Sequence, residues 1–237
     1  MSDQEPSARS VSFVTFTSDP SVQPFCLSPP AFLARHFTHS SATRPPAARF
    51  IATGAIVFDR PLSVNSGPEQ QISQPPPHVL LVQRAPTDSM PLRWETPGGA
   101  CDDDDVSVLH ACARELKEEA GLTAASVGPL VRLSTPAAAT TTTAGDDGQQ
   151  SELLGESMGG QFFLTRRANL VCKFYFVVEP ADVDHVVLDP AEHTAYVWAT
   201  EEEVRNKKME GTDGIQLNFT TKEQQEVILE AFKLWKK

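Results

Sequence analysis

Residues 94–122, WETPGGACDDDDVSVLHACARELKEEAGL, decide how this chain is read. A double glycine precedes four aspartates, and a short apolar-patterned segment then carries three glutamates within five residues. Placed on a helix over 106–120, Val106, Leu109, Ala113, Leu116 and Ala120 fall on one stripe, the pattern of a face turned to a core. Glu115, Glu118 and Glu119 gather on the far side at i, i+3 and i+4, so they are neighbours. Like charges so placed repel unless a hard cation lies between them. Carboxylate oxygens suit Mg2+ or Mn2+, and such ions can polarise a pyrophosphate. Charge alone also fits a solvated acidic face. Asp102 to Asp105 stand where acids cap a helix start, and Gly121 offers a left-handed stop. Gly98 and Gly99 let the backbone turn sharply and bring a carbonyl close to a metal or phosphate.

The bulk properties narrow the choice. The 237 residues are 40% hydrophobic, enough to bury a core, and carry a formal net charge of −11. That field repels polyanions, which argues against nucleic acid and acidic membranes as partners. The four cysteines have no C-x-x-C spacing and read as idle or buried thiols. No basic-then-apolar leader opens the sequence, and no apolar run reaches the roughly 18 residues of a membrane span. The expectation is a soluble, cytoplasmic protein.

Along the chain, residues 1–48 read as an N-terminal arm, disordered over 1–10, with a short strand at 11–16 and an apolar island at 31–37. Strands are predicted at 49–58 and 79–83, joined through the proline-rich loop 61–78 as an expanded hairpin. Another is predicted at 129–133, with Pro129 at its first position. Residues 134–160 are a low-complexity insert. A strand pair at 161–165 and 170–178 turns at Arg166-Arg167-Ala168-Asn169, and a strand at 195–198 precedes a helical turn at 200–205. The last helix, 220–236, shows a capping box of Thr220 and Glu223 and an apolar stripe of Val227, Ile228, Ala231, Phe232 and Trp235. Strands mixed with few helices predict one α/β domain with helices on both faces of a mixed sheet.

Gly99 and the run from Arg114 to Leu122, RELKEEAGL, resemble the signature of the Nudix hydrolase family, G-x5-E-x7-R-E-U-x-E-E-x-G-U with U bulky and aliphatic. Trp94-Glu95-Thr96-Pro97-Gly98 resembles the W-E-x-P-G lead-in common in that family. The first half departs from the signature. Asp105 stands in the glutamate's place, and eight residues rather than seven separate it from Arg114. The whole chain is similar to the extended Nudix proteins of fungi.

The resemblance implies a Nudix-type α/β/α sandwich around a mixed β-sheet over 49–237, with the arm and both inserts outside it. It implies a Mg2+-dependent pyrophosphohydrolase, with Mn2+ as the other candidate cation, acting on a nucleoside diphosphate linked to another moiety. By position, Glu115, Glu118, Glu119 and the Gly99 carbonyl would hold the metal, and Arg114 would hold the helix glutamates. Water would attack a phosphorus of the P–O–P bridge. One of these glutamates, or an acid on a distant loop, would take its proton. Glu192 is the chosen distant acid, with Asp189 and Glu201 as rivals. An acidic protein that binds pyrophosphate needs nearby cations, for which Arg166, Arg167 and Lys173 are the candidates, although a plain polar turn is the default reading of them. Trp94 and Phe174 belong to the core by default and could otherwise stack on a base. The partner would be a small-molecule nucleoside diphosphate derivative, and a homodimer stays open. The alternative is a catalytically weak Nudix-fold module that binds nucleotide or regulates, motivated by Asp105 and the longer loop.

Overall fold

The computed structural model describes residues 15–37, 48–60, 75–133, 158–211 and 214–235. The expected disorder at 1–10, most of the strand at 11–16 and most of the inserts at 61–78 and 134–160 lie outside the described residues.

The long strand β7 (Leu170–Pro180) organises the larger sheet. It runs parallel to β2 (Phe50–Ile56), from Phe50↔Val171 to Ile56↔Val177. It pairs antiparallel with β5 (Ala124–Val131) and with β6 (Gln161–Leu164). The two residues of β1 (Thr17–Ser18) lie parallel to β5. A second, antiparallel sheet places β3 (Val79–Arg84) between β4 (Trp94–Glu95) and β8 (His193–Ala199).

Strand alternation divides the interior. Cys172, Phe174, Phe176 and Val178 of β7 enter one core, while Tyr175 and Val177 enter the other. The first core is closed by the motif helix α2 (Val108–Ala120), through Leu109, Ala113 and Leu116, and by the N-terminal helix α1 (Pro29–Phe37). The second is closed by α4 (Lys222–Trp235), whose Val227, Ile228, Ala231 and Phe232 are buried, and by the short α3 (Glu201–Asn206). The result is the expected α/β/α arrangement around a mixed sheet, with a second small sheet beside it.

Several local expectations give way to different solutions. β2 and β3 do not form a hairpin. They bridge only at the loop's root, Phe58↔Val79, and then enter different sheets. β2 is buried on both faces, with Ile51 in one core and Ile56 in the other, which suits a parallel neighbour. β5 starts at Ala124, and Pro129 falls inside it, at a register irregularity between Val127 and Leu130. That is where a residue without an N–H interrupts no ladder bond. The aspartate run does not cap α2. Ser107 does, its Oγ accepting the His110 N–H at 3.2 Å, so Val106 falls outside the buried stripe and is exposed. The α4 cap is Thr221, accepting from the Gln224 N–H at 3.0 Å. Thr220 instead donates its N–H to the Trp94 carbonyl.

The described part of the arm enters the first core through Val22, Phe25, Phe32 and Phe37. Phe25 and Phe32 stack at 5.2 Å, and Phe25 meets Phe174 and Phe176 edge-on at 4.9 and 5.0 Å. Both arm rings are fully buried. Phe32→Ala is therefore expected to destabilise the protein by about 3–5 kcal/mol, read as a shift in the denaturant midpoint. A loss below about 1 kcal/mol would mean that the arm merely rests on the domain.

Candidate active site

Two backbone bonds fasten the glycine turn to β2. The Thr53 N–H donates to the Gly99 carbonyl at 2.9 Å, and the Ala55 N–H donates to the Pro97 carbonyl at 2.8 Å. Gly98 has φ 144°, and a Cβ there would stand 2.3 Å from the Thr53 carbonyl oxygen, so the close approach requires glycine. At Gly99 a Cβ would stand 2.6 Å from Glu115 Oε2. The Gly98 N–H donates to Glu119 Oε2 at 2.6 Å. The two bare positions thus let the helix carboxylates lie directly against the backbone of the turn.

Arg114 gathers the acids around it. Its Nε and Nη2 grip Asp105 through both oxygens, each at 3.0 Å. Its Nη1 donates to Glu115 Oε1 at 2.8 Å and to Glu118 Oε2 at 2.9 Å, and Nη2 reaches the Ala100 carbonyl at 3.1 Å. Asp105 also accepts the Asp102 N–H at 2.8 Å, which closes the aspartate loop on itself. One more loop residue and one methylene fewer in the acid still deliver a bidentate partner to the arginine.

These elements face a cleft of about 580 Å³. The glycine turn and α2 contribute Gly99, Glu115 and Glu119 to its lining; Arg84 of β3, Glu192 and His193 contribute to it as well. Ligand atoms of Glu119, Glu192 and His193 all lie within 4.8 Å of one another. The loop before β8 presents the latter two. The Asp189 carbonyl accepts the Glu192 and His193 N–H groups at 3.1 and 2.8 Å, and Asp189 Oδ1 accepts the Ala191 N–H at 2.8 Å. The Ala85 N–H ties the Glu192 carbonyl to the end of β3 at 2.7 Å. Below, Glu95 is ion-paired with Arg84 and lies 3.5 Å from His193 Nε2.

Burial controls the electrostatics. It pushes the Glu119 carboxyl up to about 7, against the pull of His193 and the Gly98 N–H. It raises Glu115 as well, outweighing Arg114. Glu95 is also desolvated, yet His193, Lys173 and Arg84 hold it below the usual carboxylate range. For His193, burial is outweighed by Glu95 and Glu119, and the ring keeps its proton more strongly than usual. Lys173 is likewise raised: burial is outweighed by Tyr175, Glu95 and Glu119. Two buried glutamates forced upward, a third carboxylate, Glu192, within reach and a buried histidine whose Nδ1 has no partner make a donor set that suits a cation. A divalent cation fits it.

A pH dependence follows. Glu119 binds a proton more tightly folded than unfolded, so stability of the metal-free protein is lost as pH rises between 4.5 and about 7. The raised His193 acts in the same direction. The melting temperature of the chelator-treated protein should fall across that window relative to Glu119→Gln, and excess Mg2+ or Mn2+ at pH 8 should restore it. Parallel pH profiles for the two proteins would refute the assignment of Glu119 as a strained carboxyl.

The NUDIX domain family matches residues 69–217. The chain belongs to the Nudix family. Among solved structures it is similar to the Nudix domain of NrtR from Shewanella oneidensis in complex with ADP ribose, at 14% identity and a TM-score of 0.48, over 86% of this chain and 96% of that one. It is also similar to a C. elegans Ap4A hydrolase, at 16% identity and a TM-score of 0.47, over 77% and 94% of the two chains. A MutT protein from Methanosarcina mazei Go1 matches at 18% identity and a TM-score of 0.46, over 79% and 95%. No curated protein matches the sequence.

Around the Nudix helix α2, the candidate residues separate by position. Glu115, Glu119, Glu192 and Gly99 line the cleft. The Gly99 carbonyl already accepts the Thr53 N–H, leaving one lone pair. Glu118, its side chain 58% exposed, is held by Arg114 and is not among the lining residues. Arg166 and Arg167 are exposed on the turn between β6 and β7, also outside that lining. Lys173 Nζ sits 5.2 Å from the centroid of the Tyr175 ring and acts on Glu119 and Glu95 from behind. Trp94 and Phe174 are core residues. Asp189 builds the turn, and Glu201 pairs with Arg205 on α3 at 2.6 Å. Arg84, Glu95 and His193 escape the sequence reading. Glu95 and His193 had a signal, the first in the W-E-x-P-G lead-in and the second beside Glu192, while Arg84 had none.

Proposed function

We propose that this Nudix protein is a divalent-cation-dependent pyrophosphohydrolase, cleaving the P–O–P bridge of a nucleoside diphosphate linked to another moiety, with Mg2+ or Mn2+ as the cation. The observation that supports it most is the convergence of Glu119 and Glu192 beside Glu115 in one cleft. When bound there, the cation would neutralise phosphate charge and polarise the bridge. Glu119 and Glu192 would hold it, with Gly99 at the edge and Glu118 joining from the rim. Glu115 accepts the proton of the attacking water. Burial raises its carboxyl above the ordinary value, which strengthens it as a base, and Arg114 fixes its Oε1. Arg84, paired with Glu95 and Asp88, is the arginine of the cleft lining and would orient the substrate's phosphates by exchanging one of these partners; Lys173 adds positive charge behind Glu119 and Glu95, and Arg166 and Arg167 stay outside the lining.

The test is mononucleotide or phosphate release from a panel that includes ADP-ribose, dinucleoside polyphosphates and nucleoside triphosphates, with Mg2+, Mn2+ or EDTA. Metal-dependent release is the expected result. Nucleotide binding without release across the panel would replace the hydrolase with the regulatory alternative.

A further inference from the structure

We propose that His193 is itself a metal ligand, joining Glu119 and Glu192 in a mixed nitrogen–oxygen site that favours first-row transition cations over Mg2+. The inference rests on the cation-dependent reading above and adds to it the chemistry of one donor.

His193 is the first residue of β8 and only 3% exposed. Its Nε2 stands 3.5 Å from the Glu95 carboxylate in an ion-pair contact, and its Nδ1 has no partner. A buried polar group left so is rare in a folded protein and points to a partner of another kind. One ring nitrogen lies within 4.8 Å of carboxylate oxygens of both Glu119 and Glu192. Two donors on opposite sides of one first-row cation, each at about 2.1 Å, stand roughly 4.2 Å apart. The 4.8 Å limit lies close to that separation, and the exposed Glu192 side chain can adjust around a cation.

The surroundings match the same role. The Glu95 carboxylate stands 3.5 Å from Nε2, and Glu95 is in turn held by Arg84. A carboxylate on one ring nitrogen fixes the orientation of a metal-binding histidine and strengthens it as a donor. Imidazole nitrogen suits Mn2+, Co2+, Ni2+ and Zn2+, whereas Mg2+ prefers oxygen alone.

The experiment is electron spin-echo spectroscopy of Mn2+ bound to the full chain, prepared unlabelled and with 15N-histidine. Nitrogen-14 modulation from a coordinated imidazole is expected in the unlabelled protein, replaced by nitrogen-15 in the labelled one and lost in His193→Asn. In calorimetry, His193→Asn should weaken Ni2+ or Co2+ binding at least about 10-fold and Mg2+ binding less than about 3-fold. Should His193→Asn fold poorly, His193→Gln serves in its place, and a labelled wild-type spectrum without histidine nitrogen overturns the inference by itself. Bound Mn2+ with no histidine nitrogen in its sphere overturns this inference and leaves the hydrolase reading intact. Failure to bind Mn2+ at all overturns both.

Discussion

Replacing Glu119 with glutamine is expected to lower kcat about 10³-fold and, at the same time, to raise the melting temperature of the metal-free protein at pH 8. The two effects share one cause. Glu119 is buried against the glycine turn, and its carboxyl titrates at about 7 rather than 4.5. Above pH 7 the folded protein must hold it ionised in a desolvated site, at a cost of about 3 kcal/mol relative to the unfolded chain. Glutamine keeps an oxygen to accept the Gly98 N–H, now 2.6 Å from the carboxylate, and removes the charge. The strain disappears, and so does the negative donor that a cation needs. Thermal melts with and without chelator, run beside steady-state kinetics, separate the two effects. A variant that is inactive and also less stable would point to a structural role instead.

Arg114→Met is expected to destabilise the protein by about 3 kcal/mol and to reduce kcat about 10²-fold. The arginine is the shared counter-charge of Asp105 and Glu115, whose side chains are only 8% and 12% exposed. Removing it strands both carboxylates. It also releases the Ala100 carbonyl and the bidentate clamp that shapes the aspartate loop. Arg114→Lys restores the charge but not the fork, so it should recover stability more than activity. Denaturant melts and kinetics of both variants check this. A methionine variant with wild-type midpoint and turnover would show that the loop holds its shape without the clamp.

What the sequence revealed follows from how locally each feature is encoded. The positions of Glu115, Glu118 and Glu119 on one helix follow from helical periodicity alone, and the cleft receives two of the three. The C-terminal helix and the β6–β7 pair were legible for the same reason: each is written in a contiguous pattern. The role of Asp105 was not, because it depends on a loop folding back nine residues along the chain onto Arg114. Arg84, Glu95 and His193 come from β3, β4 and β8, and nothing short of the antiparallel register of that sheet brings them together. The strand β2 announced its burial but not its partner, since a strand apolar on both faces fits several neighbours. The arm's apolar island at 31–37 announced Phe32, but the proline-rich stretch before it concealed Phe25, and together the two rings complete a core built by residues about 140 to 150 positions away.

The most direct test of the cleft as the hydrolytic centre is hydrolysis of the best panel substrate in H2(18)O, followed by mass spectrometry of the released mononucleotide. The expected result is one oxygen-18 on a phosphate of the products, formed with Mg2+ or Mn2+, abolished by EDTA and nearly absent in Glu119→Gln. Release that survives EDTA, or that proceeds at the wild-type rate in Glu119→Gln, would contradict the assignment of this cleft.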